Sequence, residues 1–226
     1  MRTTRQKEGE HMPLQNRVDP FGAIHAVAAR GLFTGNRGVI HDPDSKTLLR
    51  RRWTTRAWLI CECEFRGRRR DVMGRNGPNG NAGWTELFFL DEVTALAAGH
   101  RPCFYCRRER ARDFARRFGK ALGMGQPRAP EIDARLHGER LASGGKRIVI
   151  DHTHLTALPN GAMVARGDDA FAIRGGKTWR WSFSGYRPSP DFPDSAGRDL
   201  FLLTPATTLA VLRAGYEPTW HPSIEA

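Results

Sequence analysis

The four cysteines of this 226-residue chain come in two close pairs about forty residues apart, Cys61 and Cys63 in AWLICECEFRG and Cys103 and Cys106 in GHRPCFYCRRE. Nothing else in the sequence constrains the fold as strongly, because thiols that serve one metal must be carried to one point in space. A C-x-x-C on a tight knuckle supplies two sulfurs to a tetrahedral Zn²⁺. The C-x-C half is less regular. On a strand Cys61 and Cys63 share a face, so both reach one ion only if the strand bends or ends there. His41 and His100 stand as reserve ligands. Two other readings remain open: Cys103, ahead of a helix and between Arg101 and Arg107, has the setting of an acidified redox thiol, and four buried thiols can simply pack as small hydrophobes.

Charge coincides with the cysteines. The net +12 of the chain collects in two windows. Residues 50–75 hold nine arginines against Glu62, Glu64 and Asp71, and residues 101–120 hold seven arginines and Lys120 against Glu109 and Asp113. Each window therefore carries +6, and the remainder is neutral. A concentrated cationic field suits an anionic polymer, since every phosphate neutralised releases counterions. A solvated, solubility-promoting face is the simpler alternative. Arg68, Arg69, Arg70, Arg108, Arg112, Arg116 and Arg117 are the expected nucleic-acid contacts, with DNA ahead of RNA. No apolar run approaches the roughly 18 residues of a membrane span, and the first twenty residues contain no signal-like stretch. A cytoplasmic chain without a membrane partner is expected.

The segment TELFFLDEVTALAAGHRPCFYCRRE, residues 85–109, resembles the second half of the zinc-binding module at the N-terminus of Ada-type DNA alkylation-repair proteins. The shared features are a strand ending at Phe88-Phe89, a short helix ending Ala97-Ala98-Gly99, then Arg101-Pro102-Cys103, Cys106 and Arg107. The resemblance implies that Cys103 and Cys106 are the downstream zinc ligands and that the module has affinity for DNA. In that family the upstream ligands form a Cys-x3-Cys pair whose first thiolate accepts a methyl group from a DNA phosphotriester. Here the upstream pair is Cys61-x-Cys63, and the loop GRNGPNGNAG separates it from the strand, so methyl transfer to Cys61 or Cys63 lies outside the match. The physics of the segment agrees on its own terms: Asp91 can cap the helix, Gly99 can end it, and Pro102 stiffens the approach to the knuckle.

The expected fold class is α+β: a small zinc-binding module with a basic helix, followed by an antiparallel β-meander closed by a C-terminal helix. Residues 1–20 read as a flexible N-terminus, 21–122 as the zinc-binding basic module, 123–130 as a linker or loop, and 131–226 as an α+β domain. Within the module FGAIHAVAARG reads as a short helix stopped by Gly31, GLFTGNRGVIHD as a loop or tight turn, and RAWLICECEF as a strand. RRERARDFARRFGKAL reads as a helix, with Ala111, Phe114, Ala115 and Phe118 on one stripe and Arg108, Arg112, Arg116, Arg117 and Lys120 opposite. The meander runs through RIVIDHTH, GAMVAR, AFAIRG, TWRWSF and DLFLL. The last helix starts at Thr204-Pro205 and stops at Gly215. LFFL-helix-AAGHRPC and LFLL-helix-RAGYEPT also echo each other, as a duplicated unit or as shared capping chemistry would.

The leading function is a zinc-containing DNA-binding protein in repair or processing, with structural zinc and an Arg-rich phosphate-contacting surface. The alternative is a metal-assisted hydrolase or nuclease-like enzyme using His152 and His154, placed on one face of a strand, with Glu139 or Asp133 as the carboxylate. A third class is a thiol redox or sensing protein. Trp179, Trp181, Phe183 and Tyr186 read first as core and second as a stacking platform for bases.

Overall fold

The computed structural model describes residues 12–67, 70–190, 192 and 199–225, so Arg68 and Arg69 lie outside the described residues. In chain order the elements are β1 (Gln15–Val18), β2 (Ile24–Ala26), β3 (Phe33–Asn36), β4 (His41–Asp42), β5 (Thr47–Leu48), β6 (Leu59–Glu62), β7 (Leu87–Phe89), α1 (Glu92–Ala97), β8 (Arg101–Pro102), α2 (Arg108–Ala121) and α3 (Ala129–Glu139). There follow β9 (Ile148–Ile150), β10 (Met163–Arg166), β11 (Asp169–Arg174), β12 (Lys177–Ser182), β13 (Gly185–Pro188), β14 (Leu200–Leu202) and α4 (Ala206–Arg213). The chain is mixed α+β, with mostly antiparallel strands and a C-terminal helix.

The first sheet has the order β2-β1-β7-β3-β6-β8, with β1–β7 and β6–β8 parallel. FGAIHAVAARG does not coil: it pairs as β2 against β1, which itself lies inside the expected flexible tail. The reason is turn chemistry. Asp19 Oδ1 accepts from Ala23 N at 2.8 Å, Gly22 takes φ +86°, and Val18 and Ile24 then face the core. Gly31 is not a helix stop; a Cβ there would stand 1.8 Å from the Phe89 carbonyl oxygen, so the residue permits close approach of two backbones. GLFTGNRGVIHD likewise supplies β3 rather than only a turn.

Side chains alternate across this sheet. Phe33, Ile60, Leu87 and Phe89 point into a core built with Phe114 and Phe118 of α2, Ile132 and Leu136 of α3, and Val211 and Leu212 of α4. Each such fully buried Phe, Leu or Ile contributes about 1.5–3 kcal/mol. Thr34, Asn36, Cys61 and Phe88 belong to the opposite face. Helices therefore cover one side of the sheet and leave the other for a site.

The second sheet is antiparallel throughout, in the order β13-β12-β11-β10-β14-β9. β10, β11 and β12 run as the expected meander, with Gly175 and Gly176 at φ +57° and +69° in a two-residue hairpin turn, and β13, beyond the expected strands, extends it. β14 departs from it by inserting between β10 and β9. Trp179 and Trp181 pack half-buried against the second core, and Trp181 Nε1 donates to Thr94 Oγ1 at 3.0 Å, which is the core reading of that cluster.

Residues 123–128 form a loop between α2 and α3, within the expected 123–130. Met124 N bonds back to Gly119 O at 2.9 Å, and α1 lies buried between the sheets, giving Ala95 and Leu96 to the first core and Val93 and Ala97 to the second. α3 and α4, from beyond that loop, pack into the same core as the first sheet.

Several arginines counted as surface charge are internal. Arg101 grips Asp133 with both nitrogens at 2.8 Å, and Arg107 pairs with buried Glu92 at 3.0 Å and with Glu62 at 2.9 Å. Arg37 and Arg140 flank Trp58, their guanidinium carbons 4.0 and 4.4 Å from its ring centre, and burial pushes both down to about 9.

Candidate metal centre

Three of the four cysteines converge. The Sγ atoms of Cys61, Cys103 and Cys106 all lie within 4.8 Å of one another, and among the described residues no other group of three His, Cys, Asp or Glu side chains is gathered this way. Sheet register produces the meeting. β6 and β8 run parallel with Ile60 opposite Pro102, and Cys103 N donates to Ile60 O at 3.0 Å, which sets Cys103 beside Cys61 at the strand ends. Arg107 N then bonds Cys103 O at 3.0 Å, tightening the chain into a knuckle that returns Cys106 to the same point before α2 begins.

The backbone is arranged for sulfur that carries negative charge. Tyr105 N donates to Cys103 Sγ at 3.4 Å, and the backbone amides of Cys106 and Glu62 favour negative charge on Cys103 and Cys106 respectively. Hydrogen bonds from Cys106 and Cys61, with those backbone donors, hold the Cys103 thiol far below its ordinary range. The same shared hydrogen bond to Cys103 raises Cys106, and Cys61 is raised by Cys103, then by Cys106 and burial. Three crowded sulfurs do not all ionise readily without a cation among them, and a metal ion bound here would displace their remaining protons. All four cysteines are free thiols.

Cys63 is not part of the group. β6 ends at Glu62, so Cys63 leaves the strand, becomes exposed and donates to Leu32 O at 3.5 Å; partial desolvation against the sheet, then the charges of Glu62 and Glu64, raise its pKa. The reserve ligands are engaged elsewhere. His41 is buried with Nδ1 2.6 Å from Thr85 Oγ1. His100 is buried between Trp58 and Phe89 and accepts from Arg37 Nε at 3.3 Å.

A cleft of about 380 Å³ opens beside the triad on the uncovered face of the first sheet. Its floor is Thr34, Asn36 and Phe88, and its walls include Phe65, Trp84 and Tyr105 from the loops. Arg70, expected on phosphate, instead lies 4.1 Å over the Trp84 ring and pairs with buried Glu86, whose other oxygen accepts from Met73 N at 2.8 Å. That carboxylate pins the loop above the cleft. The turn-like residues of GLFTGNRGVIHD hide a strand: Phe33-Thr34-Gly35-Asn36 alternates and places Thr34 and Asn36 on the cleft side.

The basic helix is present with its apolar stripe buried as expected. Arg108, Arg112 and Arg116 are exposed, the last two beside Glu109 and Asp113. Arg117 turns inward, bonding Asp113 at 2.9 Å and the Ala214 carbonyl at the end of α4. His152 and His154 stand exposed on a 3-10 turn, His152–Ala157, not on a strand. Glu139 is tied to the start of α4, accepting from Thr207 N at 2.8 Å, and Asp133 is paired with Arg101, so the structure does not assemble them with the histidines.

The fold and the triad define a mixed α+β protein with a three-cysteine cluster able to hold a metal ion. Compared with family models, curated proteins and solved structures, the chain finds no match. No helix among the described residues is long and apolar enough to cross a membrane.

Proposed function

We propose that this chain is a zinc-containing nucleic-acid-binding protein with DNA as its expected partner, in which Cys61, Cys103 and Cys106 hold the ion and the outer face of α2 meets phosphate. The observation that carries the reading is the gathering of three sulfurs within 4.8 Å from two distant segments. A compact group of soft thiolates suits Zn²⁺, which adds no redox chemistry and accepts four ligands. Bound there, the ion would cross-link β6 to the knuckle and add its binding energy to folding. With Cys63 turned away to Leu32 O, water is the source of a fourth ligand. Arg108, Arg112, Arg116 and Lys120 stand exposed on the helix that leaves the knuckle. Exposed i,i+3 pairs such as Arg112–Glu109 are worth about 0–1 kcal/mol, so they exchange readily for phosphate. A role in repair or processing rests on the resemblance of residues 85–109 to the Ada-type module.

Elemental analysis of the purified chain is expected to give about one zinc per chain, lost in Cys103→Ser and retained in Cys63→Ser. A fully folded, metal-free wild type would overturn the metal reading. DNA affinity is expected to fall as salt rises, with a shallower slope after Arg112→Glu and Arg116→Glu. Binding that neither salt nor charge reversal weakens would remove α2 from the interface.

A further inference from the structure

We infer that the cleft beside the triad receives one unstacked base of a single nucleic-acid strand. The inference rests on the nucleic-acid reading above and specifies what enters the site. The cleft, of about 380 Å³, has planar walls in Phe65, Trp84 and Tyr105, an apolar floor at Phe88 and an amide at Asn36. Flat rings around a recess fit a flat ligand, and the Asn36 amide, whose Oδ1 takes Gly38 N at 3.3 Å, keeps its NH2 to donate to a base edge.

Cations accompany the rings. The Arg66 guanidinium lies 5.2 Å from the Phe65 ring centre and 5.6 Å from that of Tyr105, and Arg17 lies 4.8 Å from Phe88. Aromatic faces interleaved with arginines are the arrangement that holds single strands, by stacking on the base and charge on the backbone. The walls are set before any ligand arrives. Phe65 and Tyr105 meet edge to face at 5.2 Å, and Glu86 ties Arg70 and Met73 N so that the loop keeps Trp84 in place. A base within a duplex has both faces covered by its neighbours, so only one that has left the stack reaches these walls. Tyr105 is 53% exposed and belongs to the knuckle itself, between Cys103 and Cys106, which places the ring next to the sulfurs.

The test uses the full zinc-loaded chain with a single-stranded oligonucleotide carrying one 2-aminopurine, and the duplex of the same sequence. Wild type is expected to bind the strand about tenfold more tightly than the duplex and to quench the probe's emission, as stacking requires. Tyr105→Ala is expected to lose the quench and about tenfold in strand affinity, with duplex affinity and zinc content unchanged, and Tyr105→Phe to restore both. Equal affinity for strand and duplex, with wild type and Tyr105→Ala alike and no quench, overturns the cleft as a base receptor; salt-dependent binding of both forms would leave the nucleic-acid reading standing. No binding of either form overturns both.

Discussion

Residues 87–100 and 200–216 are built alike and end up in different surroundings. Each is a strand, a helix and a left-handed glycine, Gly99 at φ +80° and Gly215 at +94°. Each closes with the same pair of bonds: Gly99 N to Leu96 O and His100 N to Ala95 O in one, Gly215 N to Leu212 O and Tyr216 N to Val211 O in the other. At the start of each helix a carboxylate accepts from the backbone and hydroxyl of a threonine, but Asp91 does so for its own helix at Thr94, whereas α4 borrows Glu139 from α3 at Thr207. In the first unit α1 is buried at every position, shared between the first and second cores, and leads to the thiols; in the second α4 gives Leu209, Val211 and Leu212 to cores but leaves Ala206 and Arg213 exposed. Common local chemistry thus sets the shape of a unit, and its depth is decided by what packs around it.

The largest break in the symmetry is expected at the two caps. Asp91 is fully buried and also accepts from Tyr186 Oη at 2.9 Å and His221 N at 3.0 Å. Asp91→Ala leaves several buried donors without a partner and is expected to cost about 3–6 kcal/mol, whereas Glu139→Ala costs about 1 kcal/mol, the loss of one cap. Urea unfolding of the two variants measures the gap, and equal losses would mean that burial adds nothing to the cap.

The glycines come next. A Cβ at Gly99 would stand 2.3 Å from Arg140 Cγ, in the stem of a buried side chain, while at Gly215 it would stand 2.5 Å from Arg117 Nη1, the end of a side chain that can move. Both alanines are strained at positive φ, by about 1 kcal/mol, and only Gly99→Ala adds an overpacking cost of about 1–3 kcal/mol. Thermal melts of the pair that coincide would refute the difference.

The smallest effect is in pH. Burial, then the charges of Arg37 and Arg140, hold His100 well below its usual 6.5, so the folded chain keeps it neutral while the unfolded chain protonates it. That contribution is complete above pH 6.5 and is lost as pH falls below it, by about 1 kcal/mol between pH 6.5 and 5.5. The equivalent Tyr216 is raised by burial and by Glu92 and does not titrate there. Stability of His100→Gln relative to wild type is therefore expected to improve toward acid; an unchanged difference would show that His100 carries no such linkage.

The helices were legible in the sequence because their signals are local. The stripe Ala111, Phe114, Ala115 and Phe118, the cap at Asp91 and the stop at Gly99 are written within one or two turns and recur in the structure. In the first sheet β6 and β7 were legible as strands, whereas β2 and β3 were not, since they owe their state to partners elsewhere in the chain and to backbone approaches at Gly31 and at Gly35, whose Cβ would stand 2.0 Å from Leu59 O. The charge was half legible: composition located the arginines, but a buried Arg101 and an exposed Arg112 look the same in a sequence.

By itself the sequence determined which residue types stand near which: a C-x-x-C ahead of a basic amphipathic helix, and a strand with two nearby thiols. Tertiary structure alone decided that Cys61 joins Cys103 and Cys106 while Cys63 stays apart. That choice depends on the register of β6 against β8 and on the strand ending at Glu62, and register is fixed by long-range pairing and by the buried face of the sheet, not by the spacing of the cysteines.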